Sequence, residues 1–180
     1  MKKLLIFLCL CMLGCSNNND IAIFKEEYES LNSENIEVNI SLDNEIVYLN
    51  TKEVVQFLQE GTGVIYFGIP SDTRSRSVVE TLLEVVKDND LELKYYNPSN
   101  FKDEDLDDFA QIIGILSEYL QKNDDGELML LTPDVYFVNN GKIVGNRFGS
   151  VSDFADKALT DEQKKELYDS YNQLSQSIRH

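Results

Sequence analysis

Apolar residues occur at two different spacings along the chain, one of which predicts strands and the other helices. The run at 64–67 is wholly apolar and ends at Gly68 and Pro70, which predicts a short buried strand followed by a turn. Beyond the turn, apolar residues recur at helical spacing at Val78, Val79, Leu82, Leu83 and Val86. We therefore expect a strand that leads into a helix N-terminus at the edge of a sheet. In α/β proteins, backbone N–H groups and the positive end of the helix dipole face a ligand at such a place.

The rest of the pattern predicts an α/β protein with a mixed sheet. Helices are predicted over 21–31, from a Thr51 cap to Gly61, over 103–120, and from a capping box at Thr160 and Gln163 to Ile178. Strands are predicted over 36–40, 45–49, 91–96, 134–138 and 142–148. The last two strands flank a turn at 139–141 that contains Asn140 and Gly141, which is typical of a hairpin. We expect parallel strands joined by right-handed crossovers, with this hairpin at one edge.

The first residues have the pattern of a bacterial lipoprotein signal. Lys2 and Lys3 are basic, residues 4–13 are apolar, and Gly14 precedes Cys15. This pattern predicts a signal peptide over 1–14, lipid on Cys15 and a polar tether over 15–20, followed by an extension over 21–44 and a domain over 45–180. An ordinary secretory signal or an uncleaved anchor remains an alternative. The expected location is the outer, extracytoplasmic face of the cell membrane.

The charge of the chain restricts its partners. It carries 32 acidic and 16 basic residues in 180, with a formal net charge of −16. Such a field repels nucleic acid and anionic lipid head groups, so we expect neither as a partner. Solubility outside the cell accounts for the acidity, and an acidic recognition surface is the alternative.

Few residues of the chain can carry catalysis. The only cysteines are Cys9, Cys11 and Cys15, so removal of the leader and lipidation would leave no free thiol. The one histidine is His180, at the terminus, which excludes a Ser-His-Asp triad or a histidine-rich metal site in the core. The acidic stretch at 123–127 lacks the alternating ligands of a calcium loop. We expect no metal and no cofactor.

The turn after the central strand resembles the active-site segment of thioredoxin-like lipoproteins of Gram-positive bacteria. In those proteins Tyr-Phe-Gly-x-Pro is followed by Cys-Pro-x-Cys-Arg, and here the two cysteines fall on Asp72 and Ser75 and the arginine on Arg76. Pro133 is similar to the family's cis-proline. The resemblance covers about 45–178 and implies a thioredoxin-like fold, a central mixed sheet flanked by helices, with an N-terminal helix and strand added.

The resemblance implies a binding protein without redox chemistry, because both thiols are missing. Some relatives are described as bacteriocin transport accessory proteins, which suggests a membrane-anchored accessory protein that holds a peptide or a partner protein. The residues that would form its groove are Ile69, Pro70, Arg74, Arg76, Thr132, Pro133 and Tyr136. The alternative is one component of a surface thiol–disulfide oxidoreductase system whose thiols come from a partner.

Some of these residues also have a structural explanation. Asp72 suits an N-cap, since a carboxylate accepts helix N–H groups and meets the dipole. Arg74 and Arg76 oppose that dipole, so they either receive an anionic group from a partner or are solvated, with Arg76 a remnant of the family motif. We expect them to be solvated. Tyr66 stands where many thioredoxins bury a carboxylate. With Tyr95, Tyr96 and Tyr136 it is predicted to be a core or rim aromatic of the sheet.

Overall fold

The computed structural model describes residues 18–151 and 157–178, which form a mixed α/β protein. The leader with Cys15, and His180, lie outside these residues. The helices are α1 (Asn18–Glu29), α2 (Thr51–Glu60), α3 (Thr73–Asp88), α4 (Leu106–Ile115) and α5 (Asp161–Gln176). The strands are β1 (Ile46–Tyr48), β2 (Gly63–Phe67), β3 (Leu93–Tyr96), β4 (Gln121–Lys122), β5 (Leu128–Met129), β6 (Asp134–Asn139) and β7 (Lys142–Phe148).

Five strands form the central sheet, in the order β1-β3-β2-β6-β7. β3 pairs in parallel with β1 and β2, and β6 pairs antiparallel with β2 and β7. The predicted mixed sheet with an edge hairpin is therefore confirmed. Strand β2 lies at the centre, where Tyr66 is opposite Tyr95 on one side and Val135 on the other. A separate two-stranded sheet consists of β4 and β5.

Helices cover both faces of the central sheet, so alternate residues of β2 belong to different cores. Val64 and Tyr66 lie in a cluster with apolar residues of α1, α3 and α5, and Ile65 and Phe67 lie in a second cluster with residues of α2 and α4. Every residue of β2 is buried, as the uninterrupted apolar run at 64–67 predicts for a strand covered on both faces. The end of β2, where the chain enters the turn, is therefore packed on both faces.

The strand predicted over 36–40 is wrong. The segment has no strand partner in the described residues, although Ile36, Val38 and Ile40 are buried as the alternation predicts. Side chains satisfy its backbone instead. Asn32 accepts from Val38 N through Oδ1 at 2.9 Å and donates to Val38 O through Nδ2 at 2.8 Å, and Glu29 Oε1 accepts from Ile40 N at 2.7 Å. Alternation predicted the buried side chains, but it does not reveal whether a partner strand is present.

Several helix boundaries also differ from the predictions. Helix α1 begins at Asn18, and the region predicted as one helix over 103–120 is a 3₁₀-helix at Asp103–Asp105 followed by the shorter α4. The N-cap of α2 is Asn50, whose side chain accepts from Glu53 N, and Thr51 is the first helical residue. The capping box at Thr160 and Gln163 is confirmed. Within the described residues, no helix has both the length and the apolar character needed to cross a bilayer.

Candidate functional site

The first residue of the turn between β2 and α3, Gly68, is hydrogen-bonded to two buried tyrosines. Gly68 N donates to Tyr96 O at 3.2 Å, and the Tyr95 hydroxyl donates to Gly68 O at 3.0 Å. A Cβ on Gly68 would lie 2.2 Å from the Tyr66 ring, so a larger residue here would displace that buried ring. The turn is therefore fixed to the sheet by both backbone and side-chain contacts.

Asp72 caps α3 and joins three parts of the site, as its predicted N-cap role requires. Its carboxylate accepts from Arg74 N at 3.2 Å and from Ser75 N at 3.1 Å. Oδ2 also accepts from Ser75 Oγ at 2.7 Å and from Thr132 Oγ1 at 3.2 Å. One carboxylate therefore holds the helix start, Ser75 and Thr132 together.

Ser75 is fully buried and its hydroxyl is satisfied in both directions. Its Oγ donates to Asp72 and accepts from Ile69 N at 3.2 Å. Asp72 and Ser75 occupy the two positions where the family resemblance has cysteines, and a hydrogen bond joins them. The pair stabilises the turn in the way that a cap does, and neither group carries thiol chemistry.

The peptide bond between Thr132 and Pro133 is cis, as predicted from the family resemblance. Pro133 O accepts from Gly149 N at 2.8 Å, which ties this segment to the end of β7. Thr132 is half-buried, and its backbone N–H and C=O make no hydrogen bond to any residue in 18–151 or 157–178. Its hydroxyl donates to Asp72. The backbone N–H and C=O of Thr132 therefore remain available to a partner beside the turn.

A chain of tyrosine hydroxyls lies beneath the turn. Tyr66 donates to Ser75 O at 3.0 Å, and Tyr28 donates to the Tyr66 oxygen at 3.2 Å. Burial raises the pKa of both phenols well above their ordinary value, so both stay protonated at neutral pH. The prediction that Tyr66 is a core aromatic is confirmed, as it is for Tyr95 and Tyr96. Tyr28 comes from α1, outside the resemblance, and no sequence motif placed it at this site.

Tyr136 belongs to the core, so its prediction as a groove contact is wrong and its prediction as a sheet aromatic is confirmed. Its side chain is fully buried, its ring lies 5.7 Å from that of Phe67, and its hydroxyl donates to Asp134 at 2.6 Å. Position 136 lies inside β6, where residues face one core or the other. Of the other predicted contacts, Pro70 is buried and Ile69 is half-buried beside Ser75.

Asp134 is a buried carboxyl group that the sequence prediction did not single out. It is only 2% exposed, follows Pro133 directly, and accepts from Tyr136 Oη and, at 3.4 Å, from Asn146 Nδ2. Burial raises the pKa of Asp134 to about 6, against the lowering effect of these hydrogen bonds. The signal in the sequence was an acidic residue at the first position of an otherwise apolar strand.

The two arginines of the turn have different surroundings. Arg74 is exposed, in agreement with the prediction of a solvated side chain. Arg76 is 4% exposed, so that prediction is wrong for it. Its Nη1 donates to Tyr28 O at 2.5 Å and to Pro70 O at 3.4 Å, and its Nη2 donates to Asn32 Oδ1 at 2.7 Å. Arg76 thus joins α3 to the C-terminal end of α1, where the negative end of the helix dipole favours a cation.

Comparison with known proteins found no matching family model, no matching curated protein and no matching solved structure. Within the described residues, no three His, Cys, Asp or Glu side chains are grouped so that they would hold a metal ion. Inference of function therefore depends on the geometry around Asp72, Ser75 and Thr132.

Proposed function

We propose that this chain is a thioredoxin-like, lipid-anchored binding protein on the outer face of the cell membrane. It holds an extended segment of a peptide or a partner protein and carries out no thiol chemistry itself. The sheet order β1-β3-β2-β6-β7, with a parallel half, an edge hairpin and helices on both faces, supports the thioredoxin-like assignment. Thr132, directly before Pro133, lies next to the start of α3, which supports it further.

The observation that carries the proposal is that the backbone N–H and C=O of Thr132 make no hydrogen bond within the described residues. An extended peptide adds to exposed backbone by exchanging N–H and C=O hydrogen bonds, which is β-augmentation and needs no thiol. The Thr132 hydroxyl is held by Asp72, which fixes the position of this residue. A partner strand therefore meets a preorganised donor and acceptor, and less conformational entropy is lost on binding.

Side chains around Thr132 provide additional contacts. Ile69 and Leu131 are half-buried and offer apolar surface, and Arg74 is exposed and offers a cation to an acidic group. Tyr136 and Arg76 are not part of this groove, because Tyr136 is enclosed in the core and Arg76 donates toward α1. The groove therefore suits a segment with an apolar residue next to an acidic one.

We propose no thiol–disulfide exchange by the chain itself, because that reaction needs an attacking thiolate and a second thiol that resolves the mixed disulfide. At the two corresponding positions Asp72 and Ser75 are bonded to each other and to the backbone. The lipid on Cys15 would keep the groove at the membrane surface, within reach of chains emerging from the cell.

Site-directed photo-crosslinking in intact cells tests the proposal. A photo-reactive residue in place of Ile69 is expected to capture a defined partner, whereas the same residue in place of the exposed Gln56 on α2 is not. Equal capture from both positions, or none from Ile69, would place the partner surface elsewhere.

A further inference from the structure

A cleft lies beside the turn, on residues that the groove at Thr132 does not use. Its volume is about 300 Å³, at the lower end of the range for ligand pockets. It is lined by Leu31, Ser33 and Ile36 from the segment after α1, and by Ser71, Thr73 and Arg76 from the turn and α3. We call it the Arg76 cleft.

Arg76 brings a positive charge to this cleft without an anionic partner. Within the described residues, no carboxylate forms an ion pair with it, although the chain has twice as many acidic as basic residues. A guanidinium remains charged at every relevant pH, and a buried charge is costly unless it is paired. The carbonyl of Tyr28 and the amide of Asn32 satisfy only part of this cation.

The unused donors of Arg76 match a carboxylate. The hydrogen bonds to Tyr28, Pro70 and Asn32 use both protons on Nη1 and one on Nη2. Nε has no acceptor within 18–151 and 157–178, and Nη2 has one acceptor for its two protons. Nε and Nη2 lie along one edge of the guanidinium, the edge that can bind a carboxylate in bidentate fashion.

The other walls of the cleft specify what the carboxylate is attached to. Leu31 is a large apolar side chain that is 46% exposed, and the apolar Ile36 also lines the cleft. Ser33, Ser71 and Thr73 add hydroxyl groups. Thr73 is the first residue of the 16-residue α3, so the positive end of the helix dipole also favours an anion here.

We propose that the Arg76 cleft binds the C-terminal carboxylate of a peptide whose last side chain is apolar. Arg76 receives the carboxylate and Leu31 and Ile36 receive the side chain, and the volume suits one terminal residue. The site stands independently of the groove at Thr132. A peptide that binds to both sites would be recognised by its terminal carboxylate as well as by its backbone.

Calorimetric titration of the purified full chain with an acetylated peptide, three glycines followed by a C-terminal leucine, tests this assignment. The matched probe is the same peptide with a C-terminal amide. We expect the free acid to bind at least about tenfold more tightly than the amide, because the amide loses the charge-assisted pair with Arg76. Equal affinities, or no binding of the acid at millimolar concentration, would overturn the proposal. Hexanoate binding as tightly as the peptide acid would overturn its assignment to a peptide terminus.

A pair of variants at Thr73 locates the binding. Thr73→Glu places a carboxylate in the cleft and suits the first turn of α3, so the protein should fold while affinity for the acid falls at least about tenfold. Thr73→Gln, of similar size and uncharged, should stay within about twofold of wild type. Equal binding by the two variants would overturn the site. If Thr73→Glu does not fold, Leu31→Asp against Leu31→Asn gives the same comparison.

Discussion

Thr132 Oγ1 donates a hydrogen bond of 3.2 Å to Asp72 Oδ2, which connects the segment before Pro133 to the N-terminus of α3. The two residues are 60 positions apart in the chain. The same carboxylate oxygen also accepts from the buried Ser75 hydroxyl. Asp72 therefore determines the geometry of the turn and of the residue that we propose as the main-chain contact for a partner.

The cap at Asp72 should contribute measurably to stability. Asp72→Ala removes the acceptor for Arg74 N, Ser75 N and two hydroxyls, and loss of such a cap typically costs about 1–2 kcal/mol. Asp72→Asn keeps one side-chain oxygen and should lose less. Urea unfolding measures both values. Equal stability of wild type and Asp72→Ala would contradict the assigned role.

The buried carboxyl of Asp134 should make stability depend on pH. Because its pKa is raised from 3.8 to about 6 in the folded protein, its contribution is fully present below about pH 4. That contribution is lost as the pH rises through about 6. Over this window the free energy of unfolding should fall by up to about 3 kcal/mol, since each pKa unit corresponds to about 1.4 kcal/mol.

Asp134→Asn is the matched variant for this pH effect. The amide oxygen can still accept from Tyr136, but it takes no charge, so the variant should be more stable than wild type at about pH 7.5 and show a flatter profile between about pH 4 and 6. Urea unfolding across this pH range measures the difference. Parallel pH profiles for the two proteins would show that Asp134 does not titrate as described.

The purified protein should not reduce insulin, because Asp72 and Ser75 offer no thiol. The double substitution Asp72→Cys and Ser75→Cys should give measurable dithiol activity, since it places two thiols at the start of α3 beside Thr132. Either single substitution is the control and should remain inactive. A folded double variant without activity would count against a thioredoxin-like site here, and activity of the wild type would refute the non-catalytic proposal.

Arg74 should contribute to partner affinity through its charge alone, because it is exposed and no ion pair engages it within the described residues. Reversing the charge in Arg74→Glu should weaken binding of the partner captured at Ile69 several-fold, and Arg74→Gln should have a smaller effect. Binding should also weaken at high salt. Identical affinities for the two variants would remove Arg74 from the groove.

The mature protein should begin at an acylated Cys15. Mass spectrometry of the protein extracted from membranes should find lipid on that residue and no peptide from 1–14. Cys15→Ser should abolish the modification and release the protein from the membrane fraction. Detection of residues before Cys15, or of an unmodified Cys15, would contradict the lipoprotein prediction.

Local patterns predicted most of the helices and strands. The features that were predicted wrongly depend on residues that are distant in the chain. The apolar run at 64–67 and the helical spacing after it predicted β2 and α3, because burial and periodicity are properties of neighbouring residues. The segment 36–40 has the alternation of a strand, but side chains replaced the missing partner strand. No local signal distinguishes these two ways of satisfying a backbone.

The candidate site was predicted in part for the same reason. Asp72 as a cap follows from its position before a helix, and Pro133 as a cis-proline follows from the resemblance. The burial of Arg76 could not be predicted from the local sequence, because its acceptor, the carbonyl of Tyr28, is 48 positions away on α1. Tyr136 was predicted as an apolar contact of the groove, yet its place within β6 turns it into the core.

The most direct test of the proposed function is amide hydrogen exchange at Thr132, followed by NMR with and without the partner captured at Ile69. Free Thr132 N–H has no acceptor in the described residues, so it should exchange quickly alone and slowly in the complex. Thr132→Pro, which lacks this N–H, should lose the partner, and Thr132→Val, which keeps the N–H but lacks the hydroxyl, should weaken binding much less. A stable complex in which Thr132 N–H still exchanges at its free rate would contradict the proposal.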